Sequence, residues 1–255
     1  MCLILFAWHV HPRYRLVLAA NRDEFHARAS APAAFWEDQP HLLGGRDLES
    51  MGTWLGVTRS GRVAAVTNVR DGRNDVPPNA PSRGQLASDF LRGAVAPAQF
   101  AARTSREGPA YRGFNLLVGD RDALWWTSNR GDGALRLEPG IYGVANDLLD
   151  TPWPKVTAGK AALERVLRSG PSLANLLALL DDIHVFADHE LPDTGVGLER
   201  ERMLAPVRIV SPLYGTRCSS AVLVEAGGGT QFAERSYAPD GSEQASVYYA
   251  LKNAA

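Results

Sequence analysis

The sequence predicts an α+β fold in which antiparallel sheets are covered by helices. Three observations carry that reading. Strand hairpins come first and last along the chain, with helical pairs between them. Strands and helices do not alternate strictly, as a doubly wound sheet would require. No repeat, low-complexity segment or Pro/Ser linker splits the 255 residues, so 1–255 reads as one domain. A hydrophobic content of 45% with 22% charged residues gives such a domain enough apolar surface for a packed core.

Leu3–Val10 and Arg15–Ala20 read as two strands joined by a turn at His11-Pro12-Arg13. They are dense in Leu, Val and Ile without clean alternation, which predicts burial on both faces. His26–Glu49 reads as a long polar connection containing the breaker pair Gly44-Gly45. Trp54–Thr58 and Val63–Asn68 form a hairpin that turns at Ser60-Gly61. Residues 71–82 hold three prolines and read as a loop. Ser82 caps a helix running to about Phe90, and a second helix begins near Pro97. Phe114–Gly119 and Ala123–Thr127 make another hairpin, turning at Asp120-Arg121-Asp122. Leu135–Leu137 and Ile141–Val144 are short strands around Pro139-Gly140. Helices follow at Lys155–Arg168 and Ser172–Ile183, the latter with Ser172 as N-cap. The chain closes with strands at Val207–Ser211, Ser219–Glu225 and Gln231–Ser236, the last two joined through Gly227-Gly228-Gly229.

Formal net charge is -1, from 27 Lys and Arg against 28 Asp and Glu, and the basic residues form no run. That balance predicts no nucleic-acid or anionic-membrane partner. No window approaches ~18 consecutive apolar residues, so no transmembrane helix is expected. The first apolar stretch lacks a basic region ahead of it and is interrupted by His9 and His11. No signal peptide is therefore expected, and the predicted location is cytoplasmic. Cys2 and Cys218 could pair, but two cysteines are too few for a disulfide framework. His9-x-His11 has no third ligand at a recognisable spacing, and neither a phosphate-binding glycine loop nor a G-x-S-x-G elbow occurs. No metal and no cofactor are expected.

Cys2 carries the candidate chemistry. Read alone, it is a small apolar residue opening a strand. Trimming of Met1, however, would leave a thiol and a free α-amine on one residue, a nucleophile with its own base. Asn21-Arg22-Asp23-Glu24 follows the second strand as an abrupt polar block, which a surface turn would also explain. If the first two strands pair antiparallel, the block comes to lie beside Cys2. There Arg22 would lower the thiol pKa and Asp23 would hold the amine. Asn68 and Asn146 each end a strand, where turn chemistry is the ordinary role and oxyanion donation the functional one. Arg217 heads a late strand among small neighbours, as at a pocket wall.

At Met1-Cys2-Leu3-Ile4 with Asn21-Arg22-Asp23-Glu24 the chain resembles the NRDE family, the group that includes the transport-and-Golgi-organisation proteins. The resemblance extends through Gly44-Gly45-Arg46-Asp47, Gly52–Gly56, Thr67–Arg70, Ser82-Arg83-Gly84, Phe114–Leu117, Leu148–Trp153 and Tyr214–Ser220. It implies kinship with N-terminal nucleophile hydrolases of the choloylglycine hydrolase and penicillin V acylase branch. The implied fold is a four-layer αββα sandwich. The implied catalytic set is Cys2, Arg22, Asp23, Asn68, Asn146 and Arg217. The acylase branch separates its arginine and aspartate by three residues, whereas Arg22 and Asp23 are adjacent, so Asn21 and Glu24 enter as candidate substrate-binding residues. Two readings of function follow. One is an N-terminal cysteine amidohydrolase of linear amides. The other is a non-catalytic carrier of an amphipathic ligand, haem or an acyl thioester, in which Cys2 or a histidine such as His9 would ligate iron. Either way the expected partner is a small amide, acyl or haem-like molecule.

Overall fold

Apolar residues on both faces of the first strand require a packed layer on each side. In β1 (Cys2–Trp8), Ile4, Phe6 and Trp8 enter one core while Leu3, Leu5 and Ala7 enter another. This is the period-two alternation of a strand buried twice over. The structure, a computed structural model, describes residues 2–73, 77 and 79–252. Part of the loop expected over residues 71–82 lies outside them, as does Met1.

One sheet has the order β10 (Gly140–Val144), β1, β2 (Tyr14–Phe25), β11 (Tyr214–Glu225), β12 (Thr230–Tyr237) and β13 (Glu243–Leu251). The other runs β3 (Ser30–Trp36), β4 (Gln39–Asp47), β5 (Leu55–Thr58), β6 (Val63–Asn68), β7 (Phe114–Gly119), β8 (Leu124–Ser128) and β9 (Gly133–Arg136). All neighbouring pairs are antiparallel. Facing residues such as Phe6, Leu18, Leu43 and Leu117 fill the space between the sheets. Burying a side chain of this size stabilises the fold by about 1.5–3 kcal/mol.

Helices complete the outer layers. α1 (Arg83–Arg92) and α2 (Pro97–Glu107) lay Phe90, Leu91 and Phe100 on the second sheet. α3 (Pro154–Ser169) and α4 (Leu173–Leu179) lay Val156, Leu163 and Leu176 on the first. A short α5 (Leu198–Leu204) follows a long irregular stretch. The result is the αββα sandwich.

Several expectations need correction. The polar block Asn21–Glu24 is not a turn after the second strand but part of it, because β2 continues to Phe25 between β1 and β11. The stretch 26–49 contains the hairpin β3–β4, hidden by its Ala, Gly and Pro content. Pro32 is tolerated because β3 lies at the sheet edge. Val207–Ser211 is not a strand. It lies between Pro206 and Pro212, and its hydrogen bonds leave the ladder, Arg208 N–H going to Asp182 C=O at 2.8 Å. The two short strands around Pro139-Gly140 are present as β9 and β10, and they enter different sheets. Cys2 and Cys218 are both free. They flank Arg22 on opposite sides of β2, roughly 10 Å apart at the usual strand spacing and beyond disulfide reach.

Candidate active site

Cys2 opens β1, and the β1–β2 register places it opposite Arg22, with Leu3 opposite Asn21. Alternation then divides the polar block. Ala20 and Arg22 belong to the inter-sheet side, whereas Asn21 points to the helical layer, where its Nδ2 donates to Val207 C=O at 2.8 Å and Leu180 C=O at 3.2 Å. Asn21 is thus a buried tie between strand and loops, not a substrate contact. Asp23 lies one step past the end of β1, and with Cys2, Arg22 and Glu24 it lines a cleft of about 770 Å³ between the sheets.

Arg22 is held flat in this cleft. Its guanidinium stacks on Trp54 with 4.3 Å to the ring centroid and donates to Asp47 Oδ2 at 3.3 Å. Trp54 in turn lies against Gly45, where a Cβ would come within 2.0 Å of the indole. Only glycine at position 45 leaves room for that ring. Arg28 completes the support, donating to Asp47 Oδ2 at 2.6 Å.

Burial raises the Cys2 thiol above its ordinary range, with a hydrogen bond from the Asp23 backbone and the Arg22 charge acting against it. Burial also raises the Asp23 carboxyl, opposed chiefly by Lys155. Asp23 Oδ1 accepts from the Thr216 hydroxyl at 2.7 Å, and its carbonyl accepts from Tyr214 Oη at 2.9 Å. Lys155 is 2% exposed and donates to Leu204 C=O at 2.9 Å. Burial holds its ammonium down at about 8, with Asp23 acting in the other direction.

The two asparagines meet across the sheets. Asn68 lines the cleft at the end of β6. Asn146 does not line it. It is fully buried after β10, and its Nδ2 donates to Asn68 Oδ1 at 3.2 Å and to Asn68 C=O at 3.1 Å. Asn146 therefore positions Asn68 instead of meeting a ligand itself.

Arg217 is placed differently from expectation. It is the extra residue of a β-bulge, since Thr216 pairs with Asp23 and Cys218 with Arg22. Its Nη1 caps the carbonyls of Phe25, His26 and Arg28 at 3.0–3.1 Å, and it lines a smaller cavity of about 180 Å³ beside Cys218 and Glu234. His9 lies past the opposite end of β1, roughly 23 Å from Cys2 at strand rise, so it cannot share a ligand with that thiol. No cluster of three metal-ligating side chains occurs among the described residues.

Sequence reasoning missed Lys155, Arg70 and Tyr214 as site residues. Lys155 reads as an ordinary helix lysine, and nothing local signals its burial. Arg70 was legible only inside the Thr67–Arg70 resemblance. It donates to Glu201 Oε2 at 2.6 Å and stacks on Trp153.

No helix among the described residues is long and apolar enough to cross a membrane. By comparison with solved structures, the fold is that of a conjugated bile acid hydrolase from Clostridium perfringens, with a TM-score of 0.51 at 7% identity. That match covers 93% of this chain and 89% of the other. The human Transport and Golgi organization protein 2 homolog is 37% identical over 258 residues, covering 92% of this chain and 93% of the relative. Transport and Golgi organization protein 2 of Drosophila melanogaster is 31% identical over 264 residues, covering 92% and 91%. The model of the family described as Transport and Golgi organisation 2 matches residues 1–239. With its sandwich fold and with relatives matched along nearly their whole length, this chain belongs to the Transport and Golgi organisation 2 family.

Proposed function

We propose that the chain is an N-terminal cysteine amidohydrolase of linear acyl amides, with Cys2 as the nucleophile once Met1 is removed. One observation carries the reading: the strand register sets Cys2 against Arg22 at the floor of the inter-sheet cleft, with Asp23 one step beyond. In this mechanism the α-amine of Cys2 takes the thiol proton as sulfur attacks the amide carbon. It passes that proton to the leaving nitrogen as the C–N bond breaks. Water then attacks the thioester with the same amine as base, releasing a carboxylic acid and restoring the thiol. Asp23 holds the amine, and the Arg22 charge favours the thiolate.

The oxyanion falls to Asn68. Because Asn146 occupies the Asn68 side-chain carbonyl, the Asn68 amide is fixed with its own Nδ2 free to donate. Asn68→Ala is expected to lower kcat by about 10²–10³. Asn146→Ala should lower kcat by less, with little change in KM, because it loosens the donor and leaves the cleft intact. A loss confined to KM in both variants would rule out oxyanion stabilisation.

Intact-mass spectrometry of the active protein tests the reading as a whole. The expected mass lacks one methionine. Active protein that retains Met1 would end the proposal, since the free amine would then not belong to Cys2.

A further inference from the structure

Six arginines but only three carboxylates line the cleft among the described residues. Three of the six have carboxylate partners: Arg22 and Arg28 with Asp47, and Arg70 with Glu201. Arg83, Arg112 and Arg200 have none within ion-pair distance among the described residues. The Arg83 guanidinium donates only to a neutral acceptor, Gly113 C=O at 3.0 Å. Burial lowers its pKa, the Cys2 thiolate acts in the opposite sense, and neighbouring Arg112 lowers it further. Glu24 offsets part of this charge at Arg83, but guanidinium groups without a paired carboxylate around one cleft still repel each other, and an anion bound among them relieves that repulsion.

Two further features border the same space, although Arg22 also lines the smaller cavity. Arg22 is 5% exposed, yet its Nη1 has no hydrogen-bond partner among the described residues. α1 starts at Arg83, has no side-chain cap on its N-terminal N–H groups and no acidic residue in its first turn, and Ser82 and Gly84 line the cleft beside it. Its positive end therefore adds to the arginines. Apolar side chains line the cleft as well, among them Phe25, and Met203 and Leu204 one turn along α5 from Arg200.

We infer that the cleft selects acyl compounds bearing an oxyanion, a carboxylate or a phosphate, seated on Arg83 with Arg112 and Arg200 around it. The acyl chain lies along Phe25, Met203 and Leu204. This deepens the amidohydrolase reading and rests on it only for the placement of the acyl carbon at Cys2.

The test is calorimetric binding to the Cys2→Ala variant, which cannot turn over. The probes are N-dodecanoylglycine, dodecyl phosphate and the neutral N-dodecanoylethanolamine. At least one anionic probe is expected to bind about tenfold tighter than the neutral one, or 1.4 kcal/mol. The stronger of the two shows which oxyanion fits, and added salt should shrink its advantage. Adding Arg83→Gln should remove the advantage and leave the neutral probe unaffected. Arg112→Gln, at an exposed position, should reduce the advantage without moving the thermal midpoint, which covers the case in which the Arg83 variant does not fold. Equal affinity for charged and neutral probes, or no binding of either anionic probe, would overturn the subsite. So would an advantage that survives both substitutions. Absence of turnover in the wild-type protein would sink the amidohydrolase reading and leave this binding result standing.

Discussion

Replacing Cys2 by alanine is expected to abolish acyl transfer, with kcat lower by about 10⁴–10⁶. The size of the loss follows from the proposed chemistry, because no second group can form the thioester. Alanine removes only the sulfur, so β1 keeps its backbone ladder to β2 and β10. Arg22, Asp47 and Trp54 hold each other without involving the thiol. The variant should therefore fold and bind as before, and steady-state turnover together with calorimetric affinity measures both halves of the claim. Turnover near the wild-type rate would remove Cys2 from the reaction. A carrier gives a different pattern: the wild-type protein turns nothing over, and the Cys2→Ala protein retains its ligand. Buried thiols lean toward the neutral form, and burial raises Cys2 in that way. The proposed mechanism therefore needs a base at Cys2 itself.

Glu201→Gln is expected to cost about 3–5 kcal/mol of stability, the effect of removing one partner from a buried ion pair. Glu201 is 3% exposed and accepts from Arg70 Nη2 at 2.6 Å. Its other oxygen accepts from Thr194 N–H at 2.9 Å and from the Thr194 hydroxyl at 2.6 Å. The substitution leaves the shape of the side chain but withdraws the charge facing the Arg70 guanidinium, which burial already disfavours. In a chain of this size the thermal midpoint should fall on the order of 10 °C. Urea unfolding at neutral pH gives the free energy directly. A change below about 1 kcal/mol, the range of a solvated surface pair, would show that the pair does not anchor α5.

The order of elements was largely legible because it is written in apolar runs and turn residues. β1 announced its double burial through Leu3-Ile4-Leu5-Phe6, and the β5–β6 hairpin through Ser60-Gly61. What stayed hidden depends on partners far along the chain. Asn21–Glu24 could not be read as strand because a polar run is stable inside a sheet only when Val207, Thr216 and Ser219 come to meet it. Arg217 was read as a wall of the site, and the one-residue bulge turned it onto the carbonyls of residues 25–28. β13 and α5 offered little apolar periodicity, since much of β13 is exposed and α5 is seven residues long. For the site, the sequence carried Cys2, Arg22, Asp23 and Asn68 to one place. It could not show that Asn146 serves Asn68, or that Lys155 lies buried close enough to influence Asp23.

The contact between Asn68 and Asn146 joins the ends of β6 and β10, which belong to different sheets, and Arg70 N–H reinforces it by donating to Asn146 C=O at 2.7 Å. The spacing of the sheets at the cleft is thus pinned by main-chain and amide bonds near its floor. Rim positions such as Phe25, Arg112, Arg200 and Met203 take no part in that pin. Substitutions at those rim positions should therefore change the lining of the cleft without moving Cys2 relative to Asn68. The shape of the mouth and the spacing of the floor are thus set by separate parts of one molecule.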